Sequence, residues 1–407
     1  MIVVKGGVTM AKGFLASGLE AGIKKSGKKD LALLYSEVPA VAAGAFTTNR
    51  FQASPVKISK LHIKNKTHQA VIVNSGNANC ANGKTGDRSA WEMACYAATK
   101  LGLSEREMLV ASTGIIGVPL PLNRIKARIG DLVEGLSGKG GENFAESILT
   151  TDTVKKDFAV KIKIGSSIVS IGGACKGAGM IHPNMKTEGH HATMLSFITT
   201  DAAISKKMLE ASLDEAIKYS FNMVSVDGDM STNDSCFILA NGLAGNIKIE
   251  KKNGEYKKFT EGLKFLTGRL AKMLVRDGEG ATKFVEIDVV GAKTKEDACA
   301  VARKISTSNL LKCAIFGEDP NWGRICAAAG ASGVEFDPDK VDIYLGGIKS
   351  LSNGAIAKNY DKEKAREFFK TKDVAIRVDL NDGKASAKAW TCDFSKEYVA
   401  INSEYST

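Results

Sequence analysis

The residues best placed to do chemistry lie between Lys176 and Ala203, in KGAGMIHPNMKTEGHHATMLSFITTDAA. A glycine-rich turn leads into a loop, and Ala192-Thr193 then opens the apolar run MLSFI. A threonine hydroxyl attacks a carbonyl only if something takes its proton. Cleavage of the Ala192–Thr193 peptide bond would supply that base as the freed α-amine of Thr193. An α-amine titrates at about 7.7–8.0, so part of it is neutral at working pH. A threonine paired with its own N-terminal amine is a recognised activated nucleophile. A small residue before the threonine suits such a cut. The same residue could instead cap a helix.

Acyl transfer also needs donors for the oxyanion and charges that hold the substrate. ASTGIIG (111–117) offers Thr113 and Gly114, where glycine lets the backbone approach closely; an ordinary strand-to-turn glycine fits the segment equally. Lys176, between two glycine-rich turns, is a point charge suited to a carboxylate, or a surface lysine. Glu279 sits in the glycine-flanked loop RDGEGATK (276–283) and is an acid for an ammonium, or a solvated loop acid. VDGDMSTND (226–234) has the acids of a calcium loop but lacks its Gly at the sixth place and its Glu at the twelfth, so it reads as a turn near the site. His182, His190 and His191 lack zinc-ligand spacing, and no metal is expected.

These segments resemble the ornithine acetyltransferases, a family that includes bifunctional glutamate N-acetyltransferases. KGAGMIHPNM and ATMLSFITTDA are similar to the halves of its cleavage motif. GGVTMAKGFLASG (6–18), AGAFTTNRFQASPV (43–56), VNSGNANCANGKTG (73–86), TTDT (150–153), FGEDPNWGRI (316–325) and INSEYST (401–407) follow as further family-like blocks. The resemblance implies that Thr193 is the nucleophile after self-cleavage at Ala192–Thr193. Thr113 and Gly114 would form the oxyanion site. Thr150, Lys176, Thr193, Glu279, Asn402 and Thr407 would bind substrate. It implies acetyl transfer from N2-acetylornithine to glutamate, with no cofactor, and with acetyl-CoA as a second donor if the enzyme also makes the first intermediate. The alternatives are a self-cleaving aminopeptidase, in which water resolves the acyl-enzyme, and a non-catalytic binding protein whose insertion has disabled cleavage. The implied fold is a layered α/β sandwich of the ornithine acetyltransferase and self-cleaving aminopeptidase type. Its two interlocked fragments, 1–192 and 193–407, would assemble as an α2β2 tetramer.

One departure stands out. In the family pattern Asn-Met runs directly into Ala-Thr-Met-Leu, whereas here KTEGHH (186–191) intervenes. Thr187 becomes a rival nucleophile. Thr193 is preferred because it keeps the small residue before it and the whole downstream block. The added residues fall on the leaving side of the bond, where they could relax strain that helps the N-to-O shift.

The elements that must position these groups follow from periodicity. Strands are expected at 31–35, 70–74, 158–164, 167–173, 284–290, 373–380 and 384–390, and helices at 89–102, 206–221, 259–277 and 296–307. Their interleaving gives an α/β class. With 44% hydrophobic and 25% charged residues, the 407-residue chain has a soluble globular composition. Apolar runs are too short for a membrane span, and no signal-peptide core occurs, so a cytoplasmic enzyme is expected. The eight cysteines form no C-x-x-C pair and are expected reduced and mostly buried. The net charge of +11 comes from scattered lysines without an aromatic-interleaved stripe. That argues against nucleic acid and suits anionic substrates.

Overall fold

The computed structural model describes residues 1–185 and 194–404. Among them, nine strands form one sheet: β1 (Ile2–Val4), β2 (Phe14–Leu19), β3 (Leu31–Phe46), β4 (His68–Asn77), β5 (Met108–Ile115), β6 (Lys156–Ile164), β7 (Ser167–Lys176), β8 (Leu195–Thr200) and β10 (Ser235–Ala240). Their order is β1-β6-β7-β8-β10-β3-β4-β5, with β2 against β3. β8 runs parallel to β10 and β4 parallel to β5, and the other pairs are antiparallel. The second sheet has β9 (Val224–Ser225), β11 (Phe284–Ala292), β12 (Asp342–Leu345), β13 (Ile348–Ser352), β14 (Ala355–Ile356), β15 (Asp373–Asp379) and β16 (Ala385–Cys392). The helices are α1 (Ser54–His62), α2 (Gly83–Leu101), α3 (Leu122–Glu134), α4 (Gly141–Ser147), α5 (Lys206–Lys218), α6 (Gly254–Arg276), α7 (Lys295–Ser306), α8 (Asn309–Phe316), α9 (Trp322–Gly330), α10 (Lys362–Phe369) and α11 (Lys396–Glu404).

All seven expected strands and four expected helices are present. α6 begins five residues earlier than its periodicity suggested. Asn253, in a stretch that reads as loop, caps it by accepting a hydrogen bond from the Tyr256 N–H. β5, β8 and β10 gave no alternating signal because they are covered on both faces; every residue of β8 and β10 is buried.

The two faces of the first sheet feed different cores. Val160, Ile171, Ile198 and Ile238 pack with α5 and α6 residues such as Leu213 and Leu266. Ala174, Phe197 and Phe237 face the other way, toward Phe144 of α4. The Phe144 and Phe197 rings meet edge to face at 5.2 Å, a favoured aromatic geometry. The α/β layering thus agrees with the sequence reading. Four of the cysteines (80, 175, 236, 392) are buried, three are half-buried and Cys313 is exposed, so fewer are interior than expected. No helix among the described residues is long and apolar enough to cross a membrane.

Candidate active site

One cavity of about 350 Å³ opens where the ends of β5 and β7 meet the loop after α6 and the C-terminal helix α11. Thr113, Gly114, Thr150, Lys176, Glu279 and Asn402 all line it. Asp227, Asp229, Met230, Ser231 and Asn233 join them, so the VDGDMSTND turn does pack at this site. Ala192, Thr193 and Thr407 lie outside the described residues, as do Thr187, His190 and His191. The described chain resumes at Met194, which is buried and whose carbonyl accepts from the Ser235 N–H at 2.8 Å.

Gly114 is required by two facts. Its φ is +130°, a region side chains rarely adopt, and a Cβ there would lie 2.3 Å from the carbonyl carbon of Gly76. The two glycines are opposite each other in the β4–β5 pair, so the parallel strands close tightly at their ends. Asn233 braces the same corner, donating to the carbonyls of Ala78 (2.6 Å) and Ser112 (2.8 Å).

Lys176 ends β7 with its side chain buried. Its ammonium donates to Thr150 Oγ1 at 2.7 Å and to Thr113 Oγ1 at 3.3 Å, and lies 3.7 Å from Asp152 Oδ2. A hydroxyl that accepts from an ammonium keeps its own proton free to donate elsewhere. Thr113 and Thr150 can therefore each offer an O–H to a developing negative charge. Burial pulls the Lys176 ammonium below its ordinary range, with Asp152 opposing that effect.

Behind this wall lie charges that sequence reading did not single out. Asp152 Oδ1 accepts from the Gly177 N–H (2.6 Å) and from Lys156 Nζ (2.7 Å), and Oδ2 accepts from the Thr150 N–H (3.0 Å). Lys156, fully buried, donates also to Asp277 at 2.5 Å. Asp277 in turn accepts from the backbone and hydroxyl of Thr153. Burial works against the charge of Asp152, but Lys176 and Lys156 outweigh it and hold the carboxyl well below its usual range. Lys156 is raised, its burial outweighed by Asp152 and Asp277.

The opposite wall is acidic. The Glu279 carboxylate packs over Gly179, where a Cβ would come within 2.3 Å of it, and accepts from Asn402 Nδ2 at 2.9 Å. Asp227 accepts from the N–H groups of Met180 (2.6 Å), Ile181 (3.0 Å) and Asp229 (3.1 Å), while burial raises its carboxyl to about 6. Tyr398 completes the wall, its hydroxyl shifted upward by burial and by the neighbouring acids. The cavity is thus cationic and hydroxyl-lined on one side, and anionic on the other.

His182 is not at this wall. Its Nε2 meets the Arg303 guanidinium at 2.9 Å, and burial followed by that cation lowers it to about 4. Among the described residues no group of three or more His, Cys, Asp or Glu could hold a metal.

The sequence model of the ArgJ family matches residues 15–407. A protein of Symbiobacterium thermophilum named arginine biosynthesis bifunctional protein ArgJ is 48% identical over 404 residues, covering 99% of both chains. Its namesake from Caldanaerobacter subterraneus is 45% identical over 411 residues, covering both chains in full. The crystal structure of the Bacillus halodurans protein of that name, at 2.00 Å resolution, is 41% identical with a TM-score of 0.51. It aligns over 52% of this chain and 100% of that chain.

Proposed function

The chain belongs to the ArgJ family, and from that premise we propose that it transfers acetyl from N2-acetylornithine to glutamate through an acetyl-Thr193 intermediate. The relatives' name places them in arginine biosynthesis. The observation that carries the reading is convergence. Six residues spread from position 113 to position 402 line one cavity of about 350 Å³, at the small end of the roughly 300–1,000 Å³ usual for ligand pockets.

The chemistry runs as follows. Thr193 Oγ attacks the Ala192 carbonyl, the acyl group shifts from N to O, and water hydrolyses the resulting ester, leaving a carboxylate on Ala192 and freeing the Thr193 amine and hydroxyl. Thr193 Oγ attacks the acetyl carbonyl and its proton passes to that amine. Negative charge on the carbonyl oxygen is met at Thr113 and Gly114. The C–N bond breaks, the amine gives its proton to the departing ornithine nitrogen, and acetyl remains as a threonine ester. Glutamate then enters, and its amine attacks the ester by the same steps in reverse. Lys176 and Thr150 take substrate carboxylate, and Glu279 with Asn402 takes the ornithine ammonium. Thr407 is the remaining substrate contact. Acetyl-CoA is a second donor in the bifunctional version of this reading. The Bacillus halodurans chain matches about half of this one, which fits a protein built from two pieces. Cytoplasmic α2β2 assembly of cut chains completes the proposal.

Intact-mass analysis with N-terminal sequencing tests the cut. A fragment beginning TMLSF is expected, and one beginning TEGHH would move the nucleophile to Thr187. Thr193→Ala should leave the chain whole and abolish transfer. Each acetyl donor supplied alone, with free acetate and acetylglutamate both measured, separates transfer from hydrolysis. An uncut Thr193→Ala chain that still transfers acetyl at the wild-type rate would sink the reading.

A further inference from the structure

Four charges stand in single file behind the cavity: Lys176, Asp152, Lys156 and Asp277. Only Asp152 among the inner three reaches the cavity wall directly. It holds the Thr150 N–H at 3.0 Å, lies 3.7 Å from the Lys176 ammonium, and fixes the turn after β7 through the Gly177 N–H at 2.6 Å. A fully buried carboxylate needs partners for its lone pairs, and here it has cations and backbone donors. Asp277 closes the file from the end of α6, two residues before Glu279. One buried chain of ions thereby links the cationic wall of the cavity to the root of the acidic one.

We propose that Asp152 is a positioning residue that keeps Lys176 charged and Thr150 in place, with Lys156 and Asp277 holding Asp152 itself. The inference rests on the reading of Lys176 as the holder of substrate carboxylate. Burial alone would drive the Lys176 ammonium toward its neutral form. Asp152 and, more weakly, Glu279 oppose this, while Lys156 adds to it. Lys24, on the turn after β2, and Asp234, just before β10, also interact with Lys176, though burial pushes the Asp234 carboxyl upward toward its neutral form. Carboxylate binding is present while Lys176 is charged and is lost as pH rises through its lowered pKa.

Removing either partner of the Asp152–Lys156 pair breaks a buried contact, but the two losses act on Lys176 with opposite sign. Asp152→Asn deletes the supporting anion, so the alkaline limb of kcat/KM moves to lower pH, by about one unit or more. Lys156→Met deletes a repelling cation and leaves Asp152 charged, so the limb moves to higher pH. Asp152→Asn should also lose roughly 10²-fold in kcat/KM at mid-range pH through misplacement of Thr150 and Lys176. Asp152→Glu, which keeps the charge, should return the limb toward its wild-type position.

The experiment is the pH profile of kcat/KM for these three variants of the full chain, with melting curves beside it. A limb unmoved in Asp152→Asn, or moved the same way in Asp152→Asn and Lys156→Met, overturns the inference. Should Asp152→Asn not fold, the direction of the Lys156→Met limb decides: upward supports, downward or unmoved overturns. Lys176→Met is the control for the underlying reading. An unchanged KM there would remove Lys176 from the substrate site, whatever Asp152 does.

Discussion

The protein has two cavities on its surface worth comparing, and the larger is the poorer candidate. The cavity between Asn184, Lys207, Lys218 and Arg303 has about 780 Å³, against about 350 Å³ for the site at Lys176. Its most buried cation, Arg303, is already spent. The guanidinium donates to the carbonyls of Pro183 and Asn222 and meets His182, and burial lowers it to about 10. Lys218 reaches outward to Glu296 at 2.8 Å across a half-exposed ion pair. In the smaller cavity a buried ammonium, two hydroxyls and a backbone turn that only glycine accepts converge on one volume. The smaller cavity is the better candidate because of how its polar groups are held, not because of how much space they enclose.

The largest test of that contrast is Gly114→Ala. The added methyl must overlap the Gly76 backbone and occupy a strained φ. Strain of this kind costs about 1–3 kcal/mol, and displacement of Thr113 should lower kcat roughly 10²-fold. Assay and melting curves together measure both, and a variant with wild-type kcat would mean the corner is not where charge develops.

Asn402→Ala comes next. It removes the Nδ2 donor 2.9 Å from Glu279 and leaves the carboxylate to find another partner. A hydrogen bond to a charged group is worth about 1.5–3 kcal/mol, so KM for acetylornithine should rise on the order of tenfold or more, with kcat less affected. An unchanged KM would separate α11 from the site.

The smallest effect belongs to the other cavity. Lys218→Ala breaks an exposed ion pair that solvent screens, so it should leave stability nearly unchanged and kcat and KM at wild-type values. A clear loss of activity would erase the distinction between the two cavities.

The contrast also marks what the sequence could tell. Thr113, Lys176 and Glu279 stand beside glycines, and glycine-flanked polar residues are visible in a string of letters. Asp152, Lys156 and Asp277 are not, because a buried lysine between two aspartates looks the same as an exposed pair. Only the packing of β6 under α6 shows that water is excluded from them. The long strands β3, β6, β7, β11 and β15 announced themselves by alternation or length. β8 and β10, the strands that carry the chain away from the site, did not, since burial on both faces removes the polar beat. The early start of α6 was hidden for a local reason: a capping Asn253 followed by glycine reads as a turn unless its side-chain oxygen is seen accepting from Tyr256.

The strand order of the first sheet has a consequence for the life history of the molecule. β8 and β10 are wedged between β7 and β3, so segments from both sides of position 192 alternate across one hydrogen-bonded ladder. While the chain is continuous, folding is a unimolecular search. Were the chain cut at Ala192–Thr193 as proposed, the same architecture would have to be rebuilt by two molecules that meet, and recovery after denaturation would depend on concentration. The intact form would be the only one that assembles readily at high dilution, and the processed form would owe its persistence to never coming apart.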